Sequence, residues 1–256
     1  MGFTALIARS VGAQDYDRAR GLTRQALVTV LMMGIPISIL CYSLSETIPR
    51  LMGAEPDVLV LATQYNKIMA LAMIFRTLTM VLSAIYRGYG DTKTPMVINT
   101  MVNLANVVGN YLLIYPTHEV NLFGNKFTVW GAGWGVAGAA ASTTGTIVIG
   151  ATVMLLMTFL RKAPQQIHLG ESYRLVKRDI QAVMRISVPM MFERFVMGGA
   201  SVIIASTVAS LGTIALASNS LAATVESFSL MPGFAFGSAC TTLVGQSLGA
   251  ERPDMV

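Results

Sequence analysis

Long apolar blocks separated by short polar segments run along the whole of this 256-residue chain. Blocks of about 18 or more apolar residues are typical of helices that cross a bilayer, because a helix satisfies its own backbone hydrogen bonds in hydrocarbon. The pattern predicts an all-α membrane protein, a polytopic helical bundle, with Met1–Ala8 as the tail of one span. Six complete spans are predicted at Ala26–Leu44, Ile68–Tyr86, Pro95–Tyr115, Trp134–Leu160, Val183–Ala205 and Ala215–Gly245.

The polar segments between the spans alternate in their content of basic residues. The first, third and fifth contain 4, 2 and 5 Lys or Arg residues, and the three between them contain 2, 1 and 0. Because basic loops stay on the cytoplasmic side, Arg9–Gln25, Arg87–Thr94 and Arg161–Ala182 are predicted to be cytoplasmic. The expected location is the inner, or plasma, membrane of a bacterium, crossed several times. Glu171–Asp179 is helical and basic in character, which predicts a linker along the inner surface.

Composition narrows the possible functions. Apolar residues make up 54% of the chain and charged residues 12%, about half the share in soluble domains. The net charge of +5 lies between the apolar blocks, where it suits anionic headgroups better than nucleic acid. Neither the two cysteines nor the two histidines form a metal or disulfide pattern. No HExxH motif and no pair of histidines within the predicted spans occurs, so an enzyme is not predicted.

Two similar stretches lie 237 residues apart in the chain. Thr4–Asp17 reads TALIARSVGAQDYD, and Thr241–Asp254 reads TTLVGQSLGAERPD. Six spans lie between them, so both copies end on the same membrane face, as in transporters built from two parallel repeats. The sequence therefore predicts a two-lobed transporter of which this chain holds about one repeat period, with part of each lobe outside it.

Four motifs resemble the multidrug and toxic compound extrusion (MATE) family. They are RGYGDTKTPM (Arg87–Met96), WGVAGAAAST (Trp134–Thr143), LVGQSLGA (Leu243–Ala250) and MGAEPDV (Met52–Val58). The resemblance implies twelve helices in two six-helix lobes, of which this chain runs from the end of helix 2 to just past helix 8. Three parts follow: residues 1–165 as a partial N-lobe, 166–182 as a cytoplasmic linker helix, and 183–256 as the start of the C-lobe.

The resemblance also implies a function. The expected activity is secondary active transport by alternating access, in which organic, often cationic, compounds leave in exchange for Na⁺ or H⁺. Small organic substrates and membrane lipids are the expected partners; no cofactor besides the coupling ion, no nucleic acid and no obligate protein partner is expected. A lipid-linked oligosaccharide flippase of similar architecture is the alternative, because Arg76 and Arg194 could hold a pyrophosphate.

Two carboxylates inside predicted spans are candidates for cation binding or coupling. Inserting a charged side chain into a bilayer costs at least about 2.5–3.5 kcal/mol of free energy, so a charged residue within a span indicates a functional or structural role. Glu193 lies four residues after Pro189 and resembles the acid of helix 7 in the MATE family. Glu226 shares a helix face with Asn219. The structural alternative is an ion pair of Glu193 with Arg194, or of Glu226 with Arg194 or Arg76.

Two further groups of polar residues are candidates for lining a cavity. Arg76 begins a polar stripe with Thr79, Ser83 and Arg87, and either lines the cavity or forms a structural ion pair. Four asparagines occupy one face of the span Pro95–Tyr115 and either line a hydrated interior or bridge helices. These are Asn99, Asn103, Asn106 and Asn110. The last two resemble the polar pair of helix 5 in the MATE family, where the second position is often aspartate.

Overall fold

A computed structural model describes residues 2–51, 56–122, 125–161, 163–164, 166–167, 174–252 and 254. In this part of the chain, helices dominate. The helices are α1 (Gly2–Gly12), α2 (Tyr16–Ser43), α3 (Thr47–Leu51), α4 (Pro56–Gly88), α5 (Lys93–Ile114), α6 (Gly135–Leu160), α7 (Lys177–Ala209) and α8 (Thr213–Gly249). Two strands, β1 (Pro116–Leu122) and β2 (Asn125–Ala132), separate α5 from α6.

Six helices among the described residues are long and apolar enough to cross a membrane. They are all of the helices except α1 and α3, and each contains one predicted span except, at most, a single end residue. The prediction of an all-α, polytopic bundle is therefore confirmed.

Three of these helices, α2, α4 and α7, extend well beyond the predicted apolar blocks. The α2 helix starts at Tyr16, ten residues before the predicted span, because Asp15 caps it by accepting a hydrogen bond from Arg18 N–H at 3.0 Å. Much of the first predicted cytoplasmic loop is therefore helical. Residues 177–182 of the predicted linker are the first turns of α7, and residues 174–176 are not helical. Residues 168–173 of that linker lie outside the described residues.

A β-hairpin lies in the segment predicted as the loop Pro116–Gly133. Strands β1 and β2 pair antiparallel, with Glu119 opposite Thr128 and Val120 opposite Phe127. This element was not predicted from the sequence. Its signal was the Gly124-Asn125 dipeptide between two segments that alternate apolar and polar residues, which is typical of a hairpin turn.

The chain divides into two compact units. One unit comprises residues 1–22, 87–90 and 174–256, and the other comprises 23–86 and 91–173. In the first, α1 packs against both α7 and α8. These units group the segments differently from the expected lobes at 1–165 and 183–256, whose boundaries stay a prediction.

The predicted repeat has the same backbone geometry in both copies. In the first, Gln14 adopts a left-handed conformation with φ of 59° and Asp15 N–H donates to Ser10 O at 2.9 Å. In the second, Glu251 has φ of 57° and Arg252 N–H donates to Ser247 O at 3.0 Å. All three positions correspond at the offset of 237, so α1 and α8 end in the same Schellman-type cap.

The two copies also contact each other symmetrically within the first unit. A Cβ on Gly12 would lie 2.7 Å from the carbonyl carbon of Gln246, and a Cβ on Gly249 would lie 2.9 Å from that of Arg9. Gly12 corresponds to Gly249, and Arg9 corresponds to Gln246. Ala8 and its equivalent Gly245 meet between these two contacts. We refer to this pseudo-two-fold packing as the α1–α8 contact.

In the second unit, α5 and α6 pack closely through small residues. A Cβ on Gly150 would lie 2.6 Å from the Val102 side chain, and Gly109 faces the Ser142 hydroxyl. Small residues let helix backbones approach closely, which strengthens van der Waals and hydrogen-bond contacts in a membrane. This close approach brings the asparagine face of α5 against the hydroxyl groups of α6.

Candidate functional site

A polar network joins α5 to α6 at two of the four predicted asparagines. The Asn106 amide donates to Thr143 Oγ1 at 3.2 Å and to Thr146 Oγ1 at 3.4 Å. Its oxygen accepts from Asn110 Nδ2 at 3.1 Å. Thr146 in turn donates to the backbone oxygen of Ser142 at 2.9 Å. The structure therefore brings Asn106 and Asn110 together with the hydroxyl groups of Thr143 and Thr146, which were not predicted from the sequence to be part of a site.

One acceptor in this network has no donor. Asn110 Oδ1 is buried and has no hydrogen-bond partner among the described residues. An amide oxygen in this position is a suitable ligand for a hard cation such as Na⁺. It is a poor proton acceptor, because an amide, unlike a carboxylate, does not ionise near neutral pH.

The other two asparagines of the face are not part of the network. Asn103 is exposed and Asn99 is half-buried. Neither side chain has a hydrogen-bond partner within the described parts of the chain. The interhelical bridge therefore forms at one end of the face, and the side chains at the other end are free to contact water or a ligand.

The two predicted carboxylates lie in the other unit, on adjacent helices in the sequence. Glu193 of α7 and Glu226 of α8 are both exposed. Where the structure describes the chain, neither has a hydrogen-bond or ion-pair partner. Both side chains thus present ionisable groups within membrane-spanning helices without a partner from the described part of the chain.

Arg194 does not form the ion pair considered for Glu193. Its guanidinium carbon lies 5.4 Å from the centroid of the Phe234 ring, which places the cation over the aromatic face. Such cation–π contacts stabilise by roughly 0.5–2 kcal/mol. This contact joins α7 to α8, and it leaves the Glu193 carboxylate without a charge partner among the described residues.

Arg76 lines a cavity of about 230 Å³ in the second unit. The cavity lies between α2, α4 and α6, and Cys41, Asn66 and Ile147 contribute to its wall. No ion pair of Arg76 is found among the described residues. The structural ion pair considered for Arg76 is thus not formed by the described residues, and a role of Arg76 in lining the transport cavity stays a prediction.

A polar cluster at the start of α5 was not selected from the sequence. Asp91 accepts hydrogen bonds from Thr94 N–H at 3.0 Å and from the Thr94 hydroxyl at 2.7 Å. Arg161, at the end of α6, lies 3.3 Å from the same carboxylate. Burial alone would raise the pKa of Asp91, but the Thr94 hydrogen bonds, the Arg161 charge and the Lys93 N–H outweigh it, so the pKa is lowered. The signal was the motif GDTKT, an acidic cap before a helix.

Among the described residues, no group of three or more His, Cys, Asp or Glu side chains could hold a metal ion.

Comparison with known proteins decides the family. The MatE family model matches residues 1–112 and 189–256. The chain belongs to the MatE family. The resemblance found in the sequence motifs is thereby confirmed, although most of the motif Met52–Val58 lies outside the described residues.

Curated relatives of this MatE chain are named as multidrug resistance proteins. YoeA of Bacillus subtilis, a probable multidrug resistance protein, is 26% identical over 99% of this chain and 53% of its own length. The probable multidrug resistance protein NorM of Thermotoga maritima is 28% identical over 100% of this chain and 52% of its own length. The chain therefore spans about half the length of these relatives. They are transport proteins rather than enzymes, as predicted, and do not support the flippase alternative.

Solved structures show the same fold. A transporter of the MOP superfamily from Pyrococcus furiosus, described as having a binding pocket of reverse polarity, matches with a TM-score of 0.85 and 22% identity over 99% of this chain and 53% of its own. A MATE transporter in an outward-facing conformation matches with a TM-score of 0.84 and 22% identity, over the same shares of both chains. The MatE chain is thus a membrane-embedded protein with the MATE fold.

Proposed function

We propose that this chain acts within a secondary active transporter that exports organic, cationic compounds in exchange for Na⁺ or H⁺. The observation that carries the proposal is the Glu193 carboxylate, which lies in a membrane-spanning helix of a MatE protein without a partner among the described residues. A carboxylate in such a position is costly unless it binds a cation, takes up a proton or contacts water.

Competition at the carboxylates explains how exchange could be coupled. A cation bound at Glu193, with Glu226 as a second acid, would favour one state of the transporter, and a cationic substrate would favour the other. Such coupling requires only that each ligand bind one state more tightly. The relatives named as multidrug resistance proteins support the class of substrate, which we extend to this chain as a proposal.

The asparagine network supports a separate role for the second unit. Asn106, Asn110, Thr143 and Thr146 supply neutral oxygen atoms and no ionisable group. We assign to this network the contact with a hydrated cation or with substrate, and Asn110 Oδ1 is the acceptor available for it. The network adds no proton-binding group, so proton coupling, if it operates, would depend on the carboxylates.

The proposal extends to location and partners. A bacterial plasma membrane is the proposed location, with the basic segments on its cytoplasmic side. Small organic compounds and membrane lipids are the proposed partners, and the coupling ion is the sole cofactor. Alternating access would expose the substrate site first to one face and then to the other.

The test is ion movement driven by a cationic dye. The protein, expressed at its full natural length, is reconstituted in proteoliposomes, and Na⁺ and H⁺ movements are recorded after dye is added. We expect Glu193→Gln to reduce dye-driven ion flux by at least about tenfold, because the coupling charge is lost. Glu46→Gln, an exposed acid between α2 and α3, is the matched control and should leave the flux unchanged.

Each outcome decides a part of the proposal. The ion that moves with the dye in the wild type identifies the coupling ion. Full flux in folded Glu193→Gln protein would remove Glu193 from the coupling role, and Glu226→Gln would be tested next. Folded wild-type protein that shows no dye-driven ion movement would contradict antiport itself.

A further inference from the structure

The cavity that holds Arg76 is otherwise mostly apolar. Met69 and Met73 of α4 and Ile147 of α6 form much of its wall, and Cys41, Ser45 and Asn66 add small polar groups. The cavity lies entirely within the second unit, between α2, α4 and α6. It is separate from the asparagine network, whose hydrogen bonds join α5 and α6.

The polar neighbours of Arg76 in this cavity already have partners of their own. The Ser45 hydroxyl donates to Tyr42 O at 2.7 Å, and Asn66 Nδ2 donates to Ser45 O at 3.3 Å. Asp91, an acid of the same unit, is paired with Arg161. The guanidinium of Arg76 therefore remains as an uncompensated cation among the described residues, with five N–H donors.

The depth of Arg76 makes this charge significant. Arg76 lies twelve residues before the end of α4 at Gly88, which corresponds to about 18 Å along the helix axis. The hydrocarbon core of a bilayer is about 30 Å thick, so Arg76 lies near its middle. A guanidinium at this depth needs an anion, and its planar donors match a carboxylate or a phosphate in a bidentate contact.

We propose that this cavity binds an anionic amphiphile, a compound with a single carboxylate or phosphate group on an apolar chain. Arg76 would hold the anionic group, and Met69 and Met73 would contact the chain with side chains that adapt to varied shapes. The volume of about 230 Å³ is below the 300 Å³ or more of pockets for drug-sized ligands. It therefore suits the charged end of the amphiphile and the first part of its chain.

This inference goes beyond the proposed function and does not depend on it. The exported compounds of the proposal are cationic, whereas the Arg76 cavity selects the opposite charge. Binding at this cavity can be measured without ion flux, so failure of one proposal does not decide the other.

The test is equilibrium binding of radiolabelled dodecanoate to the full-length protein in nanodiscs of zwitterionic lipid. We expect Arg76→Gln to weaken binding by at least about tenfold, because charge-assisted hydrogen bonds are lost, and Arg76→Lys to weaken it less. Arg194→Gln is the matched control, since Arg194 contacts Phe234 on other helices, and should bind as the wild type does. Dodecyltrimethylammonium, a cation of the same chain length, should not compete.

A second pair of variants locates the site without altering its charge. Cys41→Phe should fill the cavity and weaken dodecanoate binding at least about tenfold, whereas Cys240→Phe, on α8, should not. Equal affinity of folded wild-type, Arg76→Gln and Cys41→Phe proteins would overturn the proposal, as would equal competition by the ammonium. If Arg76→Gln does not fold, the Cys41→Phe result decides.

The source of the anionic group is distinguished in the same assay. Nanodiscs that contain phosphatidylglycerol should displace dodecanoate from the wild type if an anionic membrane lipid occupies the cavity. Dodecanoate binding that is unaffected by phosphatidylglycerol would assign the cavity to free carboxylates. Both results support binding of an anionic amphiphile, and they differ only in where that amphiphile originates.

Discussion

Asp91 shows how a single carboxylate fixes the start of one membrane helix and the end of another. It caps α5 through Thr94 and contacts Arg161 at the end of α6. Asp15 caps α2 through Arg18 N–H in the same way. In both places the acid follows a residue with positive φ, Gly90 or Gln14, that ends the preceding helix. A short turn followed by an acid therefore defines two of the helix boundaries.

The lowered pKa of Asp91 predicts a dependence of stability on pH. Because its pKa is lower in the folded than in the unfolded protein, the stabilisation is present above the unfolded value near 3.9 and is lost as the pH falls through the folded value. Asp91→Asn should therefore lower the thermal midpoint at pH 7 and lose less stability than the wild type between about pH 5 and pH 3.

The measurement is thermal unfolding in detergent across this pH range. Asp91→Ala, which also removes the cap, should cost about 0.5–2 kcal/mol at pH 7. Asp17→Asn is the matched control, because the Asp17 side chain is 92% exposed and its ion pair with Arg20 is on the surface. If the thermal midpoint depended on pH in the same way for Asp91→Asn and the wild type, Asp91 would not be the source of the pH dependence.

Single residues also show the limit of sequence-based prediction. The spacing of the four asparagines predicted one helix face, and all four lie in α5. The spacing did not reveal that Asn106 and Asn110 would meet Thr143 and Thr146, because pairing between helices depends on their packing. The absence of an ion pair between Glu193 and Arg194 likewise depends on α8, which supplies Phe234.

Among the elements, the helices were predictable and their ends were not. Hydropathy marks the part of a helix that lies in hydrocarbon, so α2 was placed from Ala26 although it begins at Tyr16. The first ten residues of α2 are mostly polar and are held by helical hydrogen bonds and the Asp15 cap. The hairpin of β1 and β2 was missed because its strands alternate apolar and polar residues, so no apolar block marks them.

The close packing at the α1–α8 contact predicts that a single added methyl group at Gly249 lowers the stability of the protein. Gly249→Ala places a Cβ against the Arg9 backbone, which cannot move as a side chain can, so we expect a loss of about 1–3 kcal/mol. Gly237→Ala on the same helix is the matched control. A Cβ there meets nothing within 4 Å among the described residues, so it should be neutral or slightly stabilising.

Thermal unfolding of the two variants in the same detergent provides the measurement. A midpoint for Gly249→Ala that is as high as that for Gly237→Ala would show that α1 and α8 do not pack as closely as described. Gly12→Ala, the equivalent substitution in the first copy, should resemble Gly249→Ala because the two contacts are symmetric.

For the whole molecule, the repeat was the most informative feature of the sequence. Identity at a handful of positions predicted two equivalent segments, and the structure extends the match to the cap residues Gln14 and Glu251, which share no identity. The division of the chain into compact units was less predictable, because α1 packs with α7 and α8 although it is distant from them in sequence.

The transport proposed above should require that α1 and α8 separate at the α1–α8 contact. The Cβ atoms of Ala8 and of a residue placed at Gly245 lie 2.8 Å apart, close enough for an engineered disulfide after a small shift. In a background without Cys41 and Cys240, Ala8→Cys with Gly245→Cys should stop dye export when oxidised and restore it when reduced. Ala8→Cys alone is the control, and full export by the cross-linked protein would show that the contact stays closed throughout transport.

The pseudo-two-fold axis between Ala8 and Gly245 has a mechanical consequence. Because Gly12 and Gly249 make equivalent contacts on either side of the axis, any rotation about it changes both contacts by the same amount. The contact at Gly12 therefore cannot widen while the contact at Gly249 keeps its distance, unless one of the helices bends. Tightly packed surfaces of this kind favour discrete arrangements over gradual deformation. The α1–α8 contact should therefore adopt two discrete arrangements that differ by a rotation about this axis. The axis exists because the two contacting segments are copies of one repeat.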